Sequence, residues 1–288
     1  MTPTRPILRY HGGKWKLAPW IISHFPQHAA YVEPYGGGAS VLLQKPRSIA
    51  EVYNDLDGEI VNLFRVARDR GDELTRAVEL SPYSRADFHD SFIPADDPVE
   101  QARRTLIRSY MGFGGNLTRP NRDQTPQRTG FRDYSRKERG PVPATDWRRW
   151  PGELPNIIDR LRGVVIENRE ALDVIRVHDG PEALHYIDPP YVHSTRGFDA
   201  CGTHRAYRHE LTDDDHRELA GLLQEADGMV VVSGYACDLY DRELYTDWQR
   251  HERPHRADGA RPRTEVLWLN QACVEALERG AAQQRLIA

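Results

Sequence analysis

The glycines of EPYGGGAS, residues 33–40, follow a short apolar strand. Such turns let backbone amides approach a ligand at a helix N-terminus, as in dinucleotide-binding folds. The spacing is not GxGxxG. In YHGGKW, Trp15 follows Lys14, where a phosphate-binding loop needs Ser or Thr, so nucleoside triphosphate hydrolysis is not indicated. An acid just after the second strand of an open α/β sheet can accept both hydroxyl hydrogens of a ribose. Asp55 in VYNDLD occupies that place, with Asp57 as the alternative and helix capping as the competing structural role. A further acid, Asp188, stands in HYIDPPYV, residues 185–192. Pro189 and Pro190 each remove a backbone donor and fix φ, so this stretch must leave the sheet to which Tyr186-Ile187 belongs.

Other chemistries find little support. Cys201, Cys237 and Cys273 are odd in number, widely spaced and free of CxxC spacing, which reads as three reduced thiols. The twelve histidines are scattered, and no metal is expected. Hydrophobic residues make up 39% of the 288, no apolar run approaches the roughly 18 residues of a membrane span, and the N-terminus lacks a signal-peptide core. A cytoplasmic protein with no membrane partner is the expectation.

Charge is unevenly spread. The chain totals −4, yet Arg103 to Arg149 holds twelve Lys or Arg against four acids, a local +8. Phe113, Phe131 and Tyr134 are interspersed there. A polar run this long inside a domain is usually functional or disordered, with a solvated linker as the bland reading.

Strands must position these residues. Apolar runs end at Val32-Glu33 and span 49–53, and they recur as GVVIEN, ALHYID, GMVVVSG and TEVLWLN. Small and apolar residues after the glycines predict a helix, and Ile60, Leu63, Phe64 and Ala67 fall at helical spacing. Strands alternating with helices predict a parallel, doubly wound sheet. The alternation stops near Ser81 and resumes near Gly163. Pro3, Pro6 and the C-terminal RGAAQQRLIA read as loose ends.

RYHGGK, VEPYGGGAS, EVYNDLDGEIVNLF and YIDPPYV, in that order with a basic segment before the last, resemble the Dam-type adenine-specific DNA methyltransferases. The likeness extends to VVVSGYACDLYD and RTEVLWLN. It implies an α/β fold: the Rossmann-like sheet of class I S-adenosylmethionine-dependent methyltransferases, with an antiparallel strand near RTEVLWLN. That catalytic domain would comprise 1–80 and 160–288, interrupted at 81–159 by a mainly helical and loop target-recognition region. The resemblance implies methyl transfer from S-adenosylmethionine to the N6 amine of adenine in double-stranded DNA, with no metal and no obligate protein partner. Matched position by position, the cofactor residues would be Tyr10, Lys14, Glu33, Pro34, Gly36, Gly38, Asp55 and Asp188, with Tyr10 standing where tryptophan is frequent. Asp188, Pro189, Pro190 and Tyr191 would form the catalytic motif. Arg119, Arg122, Arg128, Arg132, Arg136 and Lys137 would meet DNA, and Arg196 a phosphate.

Adenine's amine is a poor nucleophile because its lone pair is delocalised into the ring. On the reading the resemblance implies, the Asp188 carboxylate and the Pro189 carbonyl accept its two N–H groups, and Tyr191 stacks on the base. An RNA adenine methyltransferase and a non-catalytic DNA-binding module are the rivals. Asp rather than Asn at 188 argues against methylation of a protein glutamine amide. Neutralising Arg132, Arg136 and Lys137 together is expected to weaken DNA binding and reduce the slope of log affinity against log salt by about 0.9 for each phosphate left without its cation. Binding titrations over a salt series check this, and unchanged slope and affinity would return the segment to a solvated linker.

Overall fold

Six runs of mostly apolar, β-prone residues and one polar segment pair into one sheet in the computed structural model, which describes residues 2–113, 130–133, 142–195, 208–256 and 262–287. The strands are β1 (Ala30–Glu33), β2 (Ala50–Asn54), β3 (Val164–Glu167), β4 (Ala183–Ile187), β5 (Met229–Tyr235), β6 (Gln249–Arg256) and β7 (Pro262–Leu269). Their order is β3-β2-β1-β4-β5-β7-β6, parallel from β3 through β5. β7 is antiparallel to both β5 and β6. This is the mostly parallel α/β sheet expected, including the antiparallel strand at RTEVLWLN. Strands buried on both faces read as continuous apolar runs, and every residue of β4 is buried.

The chain divides into two compact units. One holds the whole sheet: residues 16–36, 45–56 and 163–288. Its helices are α1 (Ala18–Ile22), α8 (Ala171–His178), α9 (Asp213–Gln224) and α10 (Gln271–Ile287). Ile187, Val230, Val232, Val266 and Trp268 pack with Leu219 and Leu223 of α9 in its core.

The other unit comprises residues 1–15, 37–44 and 57–162 and is helical. It holds α2 (Gly58–Asp69), α3 (Gly71–Glu79), α4 (Arg85–Asp90), α5 (Pro98–Met111), α6 (Pro143–Arg149) and α7 (Leu154–Leu161). Ile60, Leu63, Phe64 and Ala67 are buried as their spacing predicts. Asp57 caps α2 by accepting from the Glu59 N–H at 3.0 Å. Arg108 of α5 reaches Glu59 of α2 in an ion pair. Because α5 packs along both α2 and α3, those two helices belong to this unit together with the described part of 81–159.

Three expectations are corrected. No regular helix follows the glycines. Residues 40–44 form turns, and the positive φ of Gly37 and Ala39, +46° and +50°, keeps helical geometry from starting before them. β6, QRHERPHR, lacks apolar alternation and gives no strand signal, yet it pairs with β7; it lies at the sheet edge, where polar residues and Pro254 are tolerated. Neither end is loose. The Pro6 carbonyl accepts from the Tyr110 hydroxyl at 3.0 Å and Trp150 Nε1 at 3.1 Å, and 271–287 form α10.

β4 also buries His185 completely, with Nε2 at 3.2 Å from Asp179 Oδ1. Burial outweighs the attraction of Asp179 and lowers the imidazole's pKa. In the unfolded chain it takes up a proton near about pH 6.5, while in the folded chain it stays neutral to lower pH. Below that point the unfolded state binds more protons, so His185 makes stability fall as pH drops from 6.5 towards the lowered pKa. Urea unfolding at about pH 7.5 and about pH 5.5 is expected to show this loss, and His185→Gln to remove part of it. Equal pH dependence in parent and variant would exclude the imidazole as its source.

Candidate active site

In the sheet unit, the row reverses direction between β1 and β4, and in open α/β sheets ligands bind outside the carboxyl ends of strands at such a point. Val32 stands opposite His185 in that parallel pair, Glu33 ends β1, and Asp188 follows the last residue of β4. Glu33 is 2% exposed, and the Tyr31 hydroxyl, two residues back on the same strand face, donates to its Oε2 at 2.8 Å.

Asn54, the last residue of β2, fixes the turn after β1. Its carbonyl accepts from the Gly36 N–H at 2.8 Å, and its Nδ2 donates to the Pro34 carbonyl at 2.8 Å. The same side chain bonds both backbone groups of Arg169 beyond β3, at 2.9 and 3.0 Å. A Cβ at Gly36 would lie 2.1 Å from the Tyr53 ring, so no other residue fits there. Asp55 comes next and is half-buried, its carbonyl accepting from Asn168 Nδ2 at 2.8 Å. The cap of α2 is Asp57, not Asp55.

At the end of β4, the Ser233 hydroxyl on neighbouring β5 donates to Asp188 Oδ1 at 2.8 Å. The Tyr186 hydroxyl lies 3.0 Å from the same Ser233 oxygen. Since serine has one proton to give, the relay runs from Tyr186 to Ser233 to Asp188. Tyr186 keeps its proton, because burial and then the charge of Asp188 push its pKa well above the ordinary value. Pro189 is buried and Pro190 half-buried. Tyr191 is 7% exposed; its hydroxyl donates to Glu265 Oε1 at 2.5 Å and its ring meets Tyr235 edge-on, centroids 4.6 Å apart.

In the helical unit, Tyr10 lies against Gly37 and Gly38, where an added Cβ would come within 2.8 Å of the Tyr10 ring and 3.3 Å of its Cβ. The buried Lys14 Nζ donates to the Gly12 carbonyl at 3.0 Å. Arg132 is half-buried; its guanidinium donates to the Tyr110 carbonyl at 3.3 Å and its own carbonyl accepts from the Tyr83 hydroxyl at 2.6 Å. Arg119, Arg122, Arg128, Arg136, Lys137 and Arg196 lie outside the described residues, as does Cys201. Among the described residues no cluster of His, Cys, Asp or Glu could hold a metal ion, and no helix is long and apolar enough to cross a membrane.

Residues 10–258 match the D12 class N6 adenine-specific DNA methyltransferase family. The chain belongs to that family. The D12 match takes in the strand-end acids, the glycine turn and the DPPY motif alike. Relatives of this D12 family member include the DNA adenine methylase of Serratia marcescens, 25% identical over 87% of this chain and 89% of that protein. The type II methyltransferase M1.LlaDCHI of Lactococcus lactis subsp. cremoris is 24% identical over 89% and 90%. Similarity to the DNA adenine methylase of Escherichia coli K12, at 27% identity, spans 40% of this chain and 44% of that one.

Three residues of this candidate site escape sequence reasoning: Asn54, Ser233 and Glu265. A polar residue at the end of an apolar strand is the available signal for Asn54 and Ser233, and an acid inside TEVLWL for Glu265. With Asp188 expected at the amine, Ser233→Ala should lower the single-turnover methylation rate about tenfold or more, the worth of a hydrogen bond to a charged group. Calorimetry should find cofactor affinity little changed. A parental rate would mean that Asp188 keeps its aim without the relay.

Proposed function

We propose that this chain transfers the methyl group of S-adenosylmethionine to the N6 amine of adenine in double-stranded DNA. The observation that carries this reading is the Asp188 carboxylate, aimed by Ser233 at 2.8 Å just beyond β4, beside the strand that ends in Glu33.

The residues fit such a cofactor in the chemistry of their donor set. Glu33 and Asp55 follow the inner strands β1 and β2, where carboxylates suit the hydroxyl donors of a ribose. Gly36 to Gly38 leave the intervening backbone bare. When bound, S-adenosylmethionine supplies an electrophilic methyl group on a sulfonium, and the amine that receives it sheds one proton. Asp188 accepts one N–H of that amine and Pro189 offers its carbonyl to the other, concentrating the lone pair away from the ring. The carboxylate also favours the positive charge that develops on nitrogen. Two consecutive prolines keep both acceptors in place.

A base inside a duplex cannot reach this site. It must be extruded at a cost of about a few kcal/mol, and stacking on Tyr191 offsets part of that. The segment between Arg103 and Arg149, at +8, would hold the phosphates meanwhile. Within it Arg103 and Arg104 pair with Glu100, Arg108 with Glu59, and Arg132 donates to the Tyr110 carbonyl, so the proposed role falls more on the remaining cations.

Labelled S-adenosylmethionine incubated with DNA, RNA and protein tests the reading: label should appear in DNA as N6-methyladenine, and label confined to RNA or protein would overturn it. Asp188→Asn should leave cofactor binding largely intact while slowing methylation about a hundredfold or more. Asp55→Ala should do the reverse, raising the apparent cofactor constant with a smaller loss of rate at saturation.

A further inference from the structure

We infer that Glu265 on β7 is a positioning residue for Tyr191, holding its ring as the surface on which the extruded adenine stacks. The inference rests on the stacking role proposed above for Tyr191.

Tyr191 leaves the proline pair at the end of β4, and Glu265 lies 74 residues further along the chain. Their hydroxyl-to-carboxylate distance of 2.5 Å is in the range of charge-assisted bonds. Glu265 is 1% exposed. Taking a carboxylate out of water is costly, and an apolar residue at this strand position would pack without that cost.

What the carboxylate adds is direction. A tyrosine ring has two torsions to fix. Tyr235 presses on it edge-on, with 68° between the planes, which limits its swing. The bond to Glu265 anchors the far end of the ring. Both supports come from one register, since Glu265 and Tyr235 stand opposite each other in the antiparallel β5–β7 pair. Arg263, two residues earlier on β7, has its guanidinium carbon 5.4 Å from the Tyr235 ring centroid and backs the same assembly. The antiparallel strand β7 thus adds the carboxylate to the ring contact that β5, the parallel neighbour of β4, supplies through Tyr235. A ring fixed before the base arrives loses less freedom on stacking, which favours the extruded state.

The experiment measures kcat and KM on unmethylated plasmid DNA at saturating S-adenosylmethionine for Y191A, Y191F, E265A, E265Q and Y191F combined with each Glu265 variant. Y191F and E265A should each lower kcat about tenfold or more, without raising the KM for S-adenosylmethionine in a second series that varies it at saturating DNA. E265Q, whose amide oxygen still accepts the hydroxyl, should recover most of that loss. Y191F/E265A should be no slower than the slower single variant, because both changes remove one interaction. Where E265A does not fold, E265L takes its place, and equal rates of Y191F and Y191F/E265L support the coupling. A further loss in the double variant overturns it. Parental kcat in E265A beside an impaired Y191A would sink the role of Glu265 and leave that of Tyr191 standing. Parental kcat in Y191A would remove the stacking role itself, and this inference with it.

Discussion

The parallel pairing of β1 with β4 is the constraint on which the rest depends. It joins segments separated by about 150 residues of chain, Ala30 opposite Ala183 and Val32 opposite His185. Neither strand has much choice of register, because both are buried and a slip of one residue would turn every side chain to the other face. Once that register is set, Glu33 and Asp188 leave their strands at the same edge of the sheet. The connections on either side then run in opposite directions, to β2 and to β5. That divergence opens the crevice in which an α/β sheet binds its ligand.

Side chains, not strand ends alone, determine where the acids point. Asp188 is directed by Ser233, Glu33 by Tyr31 and the turn after β1 by Asn54. Each director is itself buried, and Asn54 and Ser233 sit at or near the carboxyl ends of strands neighbouring the one they serve. A director buried in a sheet has few rotamers to lose or regain, so the geometry it imposes is stiff.

Much of this is legible in the sequence because it is local. Apolar runs mark six of the seven strands, and DPPY announces a strand exit by proline chemistry alone. β6 is not legible, since an edge strand that pairs only with β7 needs no apolar face. Composition favours a helix after the glycines, where the chain instead leaves positive φ at Gly37 and Ala39 and forms only turns over 40–44. The supporting residues are hidden for another reason: their bonds are long-range. Asn54 meets Pro34 across 20 positions and Arg169 across 115, while Ser233 meets Asp188 across 45. Pattern within a window cannot reveal a partner that only sheet topology brings near.

The kind of donor used at the strand ends bears on the chemistry. The chain also sets cations against acids, as where Lys45 meets Glu51 at 2.7 Å or Arg108 meets Glu59. A cation fixes a carboxylate but also opposes its charge, which suits an acid whose work is structural. Glu33, Asp188 and Glu265 are directed by the hydroxyls of Tyr31, Ser233 and Tyr191. A neutral hydroxyl sets direction without adding a positive charge of its own. An amine that grows positive as it is alkylated needs the carboxylate's charge more than it needs a polar contact. A hydroxyl donor suits that need: it aims the carboxylate while bringing no charge of its own.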